Sequence, residues 1–398
     1  MSNGMLGTNK KSLALHKKYR GKLEIKSKVS LNNARDLCVA YTPGVAEACK
    51  MIARHPKLAN IYTIKQNTVA VITDGSAVLG LGNIGPLAAL PVMEGKCILH
   101  KRFANIDSFP ICLGTQDTEK IIETIKLIAP VFGAIHLEDI SAPRCFEIEK
   151  RLQDELDIPV LHDDQHSTAV VVLAALINAL HCRSNVGQAP GLLNMQARGL
   201  PYRQMMAKII INGAGAAGIG IAKLLMGYGF KNLIMLDSHG ALYIGRPGLT
   251  ADKLELAKMT KNKTKGGLAD CLKGADVFIG VSKGGLLKPQ MIRSMNKKPI
   301  IFAIANPTPE IMPAEAKKAG AFIVATGRSD FQNQINNVLT FPGIFRGALD
   351  NHVKIITQKM LIQAATNLAA LIKSPTSQKI LPSLFDKNVV KAIAKAIK

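Results

Sequence analysis

The sequence predicts an α/β protein of two parallel-sheet domains. Three observations point there: a length of 398 residues, short β-branched runs alternating with helical periodicity, and one glycine-rich turn joining a strand to a helix. The turn is Lys208-Ile-Ile-Ile-Asn-Gly-Ala-Gly-Ala-Ala-Gly218, a strand that runs into GxGxxG and then into a helix pattern. In such a turn Gly213 permits the tight bend, Gly215 lets backbone N–H groups approach a pyrophosphate, and Gly218 lets helix and strand pack closely. Gly213, Ala214, Gly215, Ala216, Ala217 and Gly218 are therefore the candidate dinucleotide loop, with phosphates held at the helix N-terminus. Leu233-Ile-Met-Leu-Asp237 supplies a second strand ending in an acid 24 residues after Gly213, a spacing that suits the ribose hydroxyls of NAD. Asp237 would repel a 2′-phosphate, which favours NAD over NADP, although Ser238 and His239 leave room for one if the acid turns away.

The elements follow in order. Residues 1–20 read as a basic arm, helical at most, and 32–54 as helical segments interrupted at Tyr41-Thr-Pro-Gly44. A strand over 68–73 leads into a second glycine-rich segment, 74–85, which has no ribose acid at the right distance and suits a tight turn. Strands over 109–113, 133–137 and 158–161 then alternate with helices over 119–129 and after Pro143, the rhythm of a parallel sheet with covering helices. Residues 168–180 form an apolar helix. The stretch 181–207, with Pro190, Gly191, Gly199 and Pro201 and little periodicity, reads as a linker or long surface loop. Strands resume at 208 and continue over 275–280, 299–304 and 321–324, which makes the second unit doubly wound and Rossmann-like. Beyond Leu349 the chain reads as a helical, basic tail.

Composition narrows the function. Seven cysteines without a close pair argue against a disulfide framework or a structural zinc site. No apolar run reaches a bilayer-spanning length, the longest being 169–180, and the basic N-terminus lacks the apolar core of a secretory signal, so no membrane and a cytoplasmic location are expected. A net charge of +23 attracts polyanions, yet the cations are scattered and aromatic residues are 5%, so specific nucleic-acid binding is not expected.

Two acid pairs, Glu138-Asp139 and Asp163-Asp164, stand at the ends of consecutive strands and should emerge at one carboxyl edge of the sheet. Carboxylates crowded there repel unless a cation neutralises them, and all-oxygen ligands suit Mg²⁺ or Mn²⁺. Residues adjacent on a strand point oppositely, so not every acid need be a ligand, and the alternative is that these acids only cap helices. His162 and His166 flank the second pair but straddle a strand-to-helix junction, which argues against zinc. Lys96 precedes the apolar Cys97-Ile-Leu99; apolar surroundings would lower its pKa and make it a base, whereas most lysines are merely solvated. Tyr41, at the helix break, has packing as its ordinary role.

Six motifs in order, Tyr41-Thr-Pro-Gly-Val45, Gly80-Leu-Gly-Asn-Ile-Gly85, Pro91-Val-Met-Glu-Gly-Lys96, Leu137-Glu-Asp-Ile140, His162-Asp-Asp-Gln165 and Asn336-Asn-Val-Leu-Thr-Phe-Pro-Gly343, resemble the malic enzymes of the short bacterial type. The resemblance runs from about residue 20 to 350. It implies an N-terminal α/β substrate and metal domain over 21–165 and a Rossmann-like NAD(P)-binding domain with a helical tail over 166–398. It also implies a homodimer and the conversion of (S)-malate to pyruvate and CO₂ with NAD(P)⁺ and a divalent metal. By resemblance Lys96 is the general base, Tyr41 the general acid, and Glu138, Asp139 and Asp164 the metal ligands, with Asp163 supporting Lys96 or the metal shell. Asn306, Asn336 and Asn337 would hold the substrate carboxylate and the nicotinamide ribose region, and Ser76 would touch malate. A malolactic enzyme, which turns malate into lactate, shares these motifs but is expected to resemble the longer malic enzymes; a non-catalytic polyanion binder is the remaining alternative. The chain departs from the family pattern at Ser167, where a glycine is usual, at Gln332, where a proline is usual, and at Lys283-Gly284, near the coenzyme.

Overall fold

The computed structural model describes residues 3–78, 80–184 and 200–398. Among the described residues ten strands form two sheets: β1 (Thr68–Thr73), β2 (Asp107–Cys112), β3 (Ala134–Leu137) and β4 (Val160–His162) in the first, in the order β2-β1-β3-β4. The second holds β5 (Ile209–Asn212), β6 (Leu233–Asp237), β7 (Gly240–Ala241), β8 (Val277–Gly280), β9 (Ile300–Ala303) and β10 (Ile323–Thr326), in the order β10-β9-β8-β5-β6-β7. All pairings are parallel except β6 with β7. Both sheets reverse their winding beside their first strand, β1 in one and β5 in the other, and such switch points open a crevice at the carboxyl ends. The sequence reading of an α/β chain with a doubly wound second unit holds.

Strand composition explains the burial. Val69 to Ile72 and Ile209 to Ile211 are fully buried because helices cover both faces of a parallel sheet, which favours unbroken runs of β-branched residues. The helix Asp163–Ser184 packs against Ala216–Tyr228 and Gln358–Ala369 and forms the centre of the largest core. Gly220 sets its approach to Ala216–Tyr228, since a Cβ there would lie 2.3 Å from the Gln165 carbonyl oxygen. This helix corrects two expectations. It runs 22 residues rather than 168–180, so by length and hydropathy it is long enough to span a bilayer, but 78% of its most apolar window is buried inside the fold. It also continues through Ser184 into the stretch read as a linker; residues 200–207 carry the short helix Tyr202–Met205 between buried Leu200 and Ala207, and 185–199 lie outside the described residues.

The C-terminal stretch is no appended tail. Ile380, Ile393 and Ile397 are fully buried in the same core, and the helix Phe341–Asp350 packs on the first sheet's helix Pro86–Ala104. The N-terminal portion behaves differently. Helices Ala34–Ala40 and Val45–Arg54, broken at Tyr41 to Gly44 as expected, contain no buried residue, and Ile25, Val39 and Tyr41 are exposed. Lys22 ties the start of this portion to the body through the Pro91 carbonyl at 2.6 Å, and Lys65 ties its end through the carbonyls of Pro130 and Phe132 at 3.0 and 2.7 Å.

Candidate active site

Register brings the two acid pairs together. Leu137 and His162 are partners across β3 and β4, so the residues that follow them leave the sheet at one level. Glu138, Asp139 and Asp164 place carboxylate oxygens within 4.8 Å of one another, and all three line a cavity of about 370 Å³. Asp139 adopts φ 53°, a left-handed conformation that a short polar side chain tolerates, and this breaks strand alternation so that both adjacent acids face the cavity. Asp163 and Asp164 occupy the first turn of Asp163–Ser184, where the helix dipole favours negative charge. The helix-capping alternative therefore accounts for part of their position, but not for the convergence with Glu138 and Asp139.

Lys96 enters from the helix Pro86–Ala104 with its side chain 10% exposed. Its Nζ donates to Asp163 Oδ2 at 2.6 Å and lies 3.0 Å from Glu138 Oε1 and 4.8 Å from the Phe341 ring centroid. Asn337 Nδ2 also donates to Asp163 Oδ2, at 2.5 Å. Burial alone would lower the pKa of Lys96, but Asp163 and Glu138 outweigh it and raise it above the ordinary lysine value. The expectation of a lysine neutralised by apolar surroundings is thus corrected, because carboxylates separated by many residues in sequence converge on it. Burial would raise Asp163 too, yet Lys96 holds it down to about 2. Burial raises Glu138 well above the carboxylate range, and Asp163 and Asp164 add to that rise against the pull of Lys96.

Four acidic side chains crowd around one ammonium, and their oxygen donor set suits a hard divalent cation. Glu138, Asp139 and Asp164 are the residues that fit it.

His136 escaped the sequence reading although it lies two residues before Glu138, on the same face of β3. Its Nε2 is 2.7 Å from Glu138 Oε2, its Nδ1 is 3.0 Å from His100 Nε2, and its ring stacks on Phe345. Burial lowers His136 to about 4, so it is a neutral partner at neutral pH. Glu310 was missed as well: buried, and pushed up to about 7 by that burial, it accepts from the backbone N–H of Ser282 and Ala305 and so joins two loops that line the cavity.

The other candidates divide. Asn306, Asn336 and Asn337 line the cavity with Lys96. Ser76 does not; its Oγ donates to Asp74 Oδ1 at 2.5 Å and accepts from Ser141 N and Arg144 Nη2, which removes it from the substrate position expected of it. Tyr41 does not line the cavity either and is 62% exposed. His166 lies 3.0 Å from Glu149, away from the acid cluster. Ser167 is fully buried within the helix. Gln332 is exposed.

The glycine loop opens on a second cavity of about 860 Å³, which shares Val281 and Ser282 with the first. Gly213 sits at φ 127°, and a Cβ on Gly218 would lie 1.8 Å from the Gly213 carbonyl oxygen, so the turn and the helix approach both require glycine. Asp237, Ser238, His239 and Lys283 line the far part of this cleft. The Asp237 carboxylate is held by Arg246 and Lys253, a pairing that spacing alone did not reveal.

Comparison with known proteins shows the family of the chain. The model of the malic enzyme N-terminal domain matches residues 20–153, and that of the malic enzyme NAD-binding domain matches 166–398. The bifunctional malic/malolactic enzyme of Bacillus subtilis is 53% identical over 98% of this chain and 92% of its own length. The NAD-dependent malic enzyme of Geobacillus stearothermophilus is 50% identical over 95% of this chain and 76% of its own. The crystal structure of the NAD-dependent malic enzyme of Thermotoga maritima superposes with a TM-score of 0.89 at 46% identity, covering 97% of this chain and 98% of that one.

Proposed function

The chain belongs to the malic enzyme family, and from that premise we propose that it oxidises and decarboxylates (S)-malate to pyruvate and CO₂ with NAD(P)⁺, with Lys96 as the base. The observation that carries this reading is Lys96 in a cavity shared with three converging carboxylates and adjoining the glycine-rich cleft. Lys96 accepts the proton of the malate C2 hydroxyl as the C2 hydride passes to the nicotinamide. To do so it must first be neutral, against the pull of Asp163 at 2.6 Å and Glu138 at 3.0 Å, which both favour its ammonium form. Asn306 and Asn336 offer amide groups to the substrate carboxylate and the nicotinamide ribose region. Glu138, Asp139 and Asp164 would hold Mg²⁺ or Mn²⁺, which when bound would supply Lewis-acid polarisation and offset the negative charge left as CO₂ departs.

The test is to follow reduced coenzyme and pyruvate in one reaction containing malate, NAD⁺ or NADP⁺, and Mn²⁺. Equal yields of both products are expected. Lactate formed without reduced coenzyme would instead establish the malolactic reaction, which the name of the Bacillus subtilis relative brings forward as a second reading. That relative also corrects the expectation that malolactic activity goes with longer chains, since this chain covers 92% of it.

Protonation of the enolate is assigned to Tyr41. Tyr41 does not line the Lys96 cavity of its own chain, and in this reading a second copy delivers it; the unburied helices on either side of Tyr41, with Leu37 and Val39 exposed, are surfaces suited to that contact. In the resulting homodimer each site combines two chains. Tyr41→Phe and Lys96→Ala should each be inactive in pyruvate formation. Random re-pairing of the two should restore about a quarter of the wild-type sites. A mixture as inactive as its components would sink the shared site.

A further inference from the structure

A buried acid stands behind the wall between the two cavities. Glu310 is fully buried, and its two carboxyl oxygens accept from two different loops: Oε1 from the Ser282 N–H at 3.2 Å and Oε2 from the Ala305 N–H at 3.1 Å. Ser282 lines both cavities, and Ala305 lines the one that holds Lys96, beside Asn306. Room for the acid comes from Gly280, where a Cβ would lie 2.3 Å from the Glu310 carboxyl carbon. The Ser282 loop is tied in turn to the strand that enters the glycine turn. Asn212 Nδ2 donates to Ser282 Oγ at 2.9 Å, and the Asn212 carbonyl accepts from the Val281 N–H at 3.0 Å.

Both donors are backbone groups, which cannot reverse their polarity. An ionised carboxylate accepts from both, whereas a protonated carboxyl carries a hydroxyl on one oxygen, which turns that oxygen into a donor and a poor acceptor. Protonation therefore weakens one of the two loop bonds. No charged side chain among the described residues forms an ion pair with Glu310. Lys283 lines the coenzyme cleft, Lys288 donates to the Gly285 carbonyl, and Arg293, Glu315, Lys317 and Lys318 sit on the helices Pro289–Arg293 and Pro313–Lys318 that follow the two loops. Burial pushes the Glu310 carboxyl up to about 7, with only backbone N–H groups opposing it.

We propose that Glu310 is a positioning residue for the coenzyme: its ionised carboxylate holds the loops at Ser282 and Ala305 in the arrangement that binds the dinucleotide, and protonation releases one of them. This rests on the reading of the cleft as the NAD(P) site. Glu310 lines neither cavity and acts through the two loops. Because the bound coenzyme requires the ionised form, binding draws the proton off Glu310. Affinity is therefore full above about pH 7 and falls as the pH drops through that value.

The test is NADH binding across this pH range, read by nicotinamide fluorescence without malate or metal. The wild-type dissociation constant should rise about fivefold between about pH 8 and about pH 6, the change expected of a binding-linked group that titrates near 7. Glu310→Gln keeps the size but presents one acceptor and one donor, as the protonated acid does. It should bind NADH at about pH 8 as weakly as the wild type does at about pH 6, and its profile should be flat. A flat wild-type profile would overturn the proposal while leaving the cleft reading intact. So would a pH dependence that survives in Glu310→Gln, which would belong to another group such as His239 in the same cleft. Wild-type affinity in Glu310→Gln at about pH 8 would overturn it too. If that variant does not fold, proton release by the wild type decides: NADH binding should release about half a proton near pH 7 and none near pH 9, and no release near pH 7 would sink the proposal. If folded wild-type protein binds NADH at no pH, the cleft reading falls and the proposal with it.

Discussion

Replacing Lys96 with alanine is expected to lower malate oxidation by about 10²–10⁴-fold, the ordinary contribution of a positioned acid or base, while NADH still binds. Lys96 lies among the acids of the first sheet, whereas the glycine loop proposed for the coenzyme belongs to the second. Loss of the amine also leaves Asp163 and Glu138 without their cation, and breaking a buried ion pair costs about 3–5 kcal/mol. Stability and catalysis can be separated. Adding Asp163→Asn to Lys96→Ala should restore part of the melting temperature, because the stranded charge is gone, but not the rate. Small primary amines added to Lys96→Ala should restore part of the rate without raising the melting temperature. Full activity in a folded Lys96→Ala variant, or no rescue by any amine combined with recovery in the double variant, would remove Lys96 from the role of base.

Removing the divalent cation is expected to have an effect of the same size. Treatment with a chelator should abolish pyruvate formation, and Mn²⁺ or Mg²⁺ should restore it. Asp164→Asn should then require a much higher metal concentration, since the carbonyl of an amide is a weaker ligand than a carboxylate. A readout independent of turnover comes from stability. A ligand that binds only the folded chain stabilises it by about 2.7 kcal/mol at a concentration 100 times its dissociation constant. Mn²⁺ should therefore raise the melting temperature of the wild type, because it relieves the repulsion among Glu138, Asp139, Asp163 and Asp164. In Asp164→Asn that rise should shrink at equal metal concentration. Chelator-resistant activity together with no metal-induced rise would show that the carboxylates serve another purpose.

Much of this site was legible because its signals are local. The run Ile209 to Asn212 before Gly213 announces a strand and a turn wherever it occurs, since β-branched residues favour the strand and GxGxxG specifies the turn. The acids Glu138, Asp139 and Asp164 could be placed at one sheet edge from strand alternation alone, because neighbouring parallel strands share their carboxyl ends. Periodicity erred where it was asked for limits: the apolar core of Asp163–Ser184 is visible, but its polar first turn reads as a strand-to-helix junction.

By itself, then, the sequence determined the two-sheet α/β architecture, the glycine-rich turn and the shared sheet edge of the acids, all of which follow from local patterns along the chain. The tertiary structure decided the charge state of Lys96, which depends on Asp163, 67 residues away, and on burial that no local pattern measures. It decided that His136 backs Glu138, that Ser76 is spent on Asp74 and Arg144, and that Arg246 and Lys253 fill the acceptors of Asp237. It left Tyr41 outside the cavity of its own chain. Ion pairs and buried hydrogen bonds are settled by which groups share a desolvated space, and that is a property of packing rather than of order along the chain.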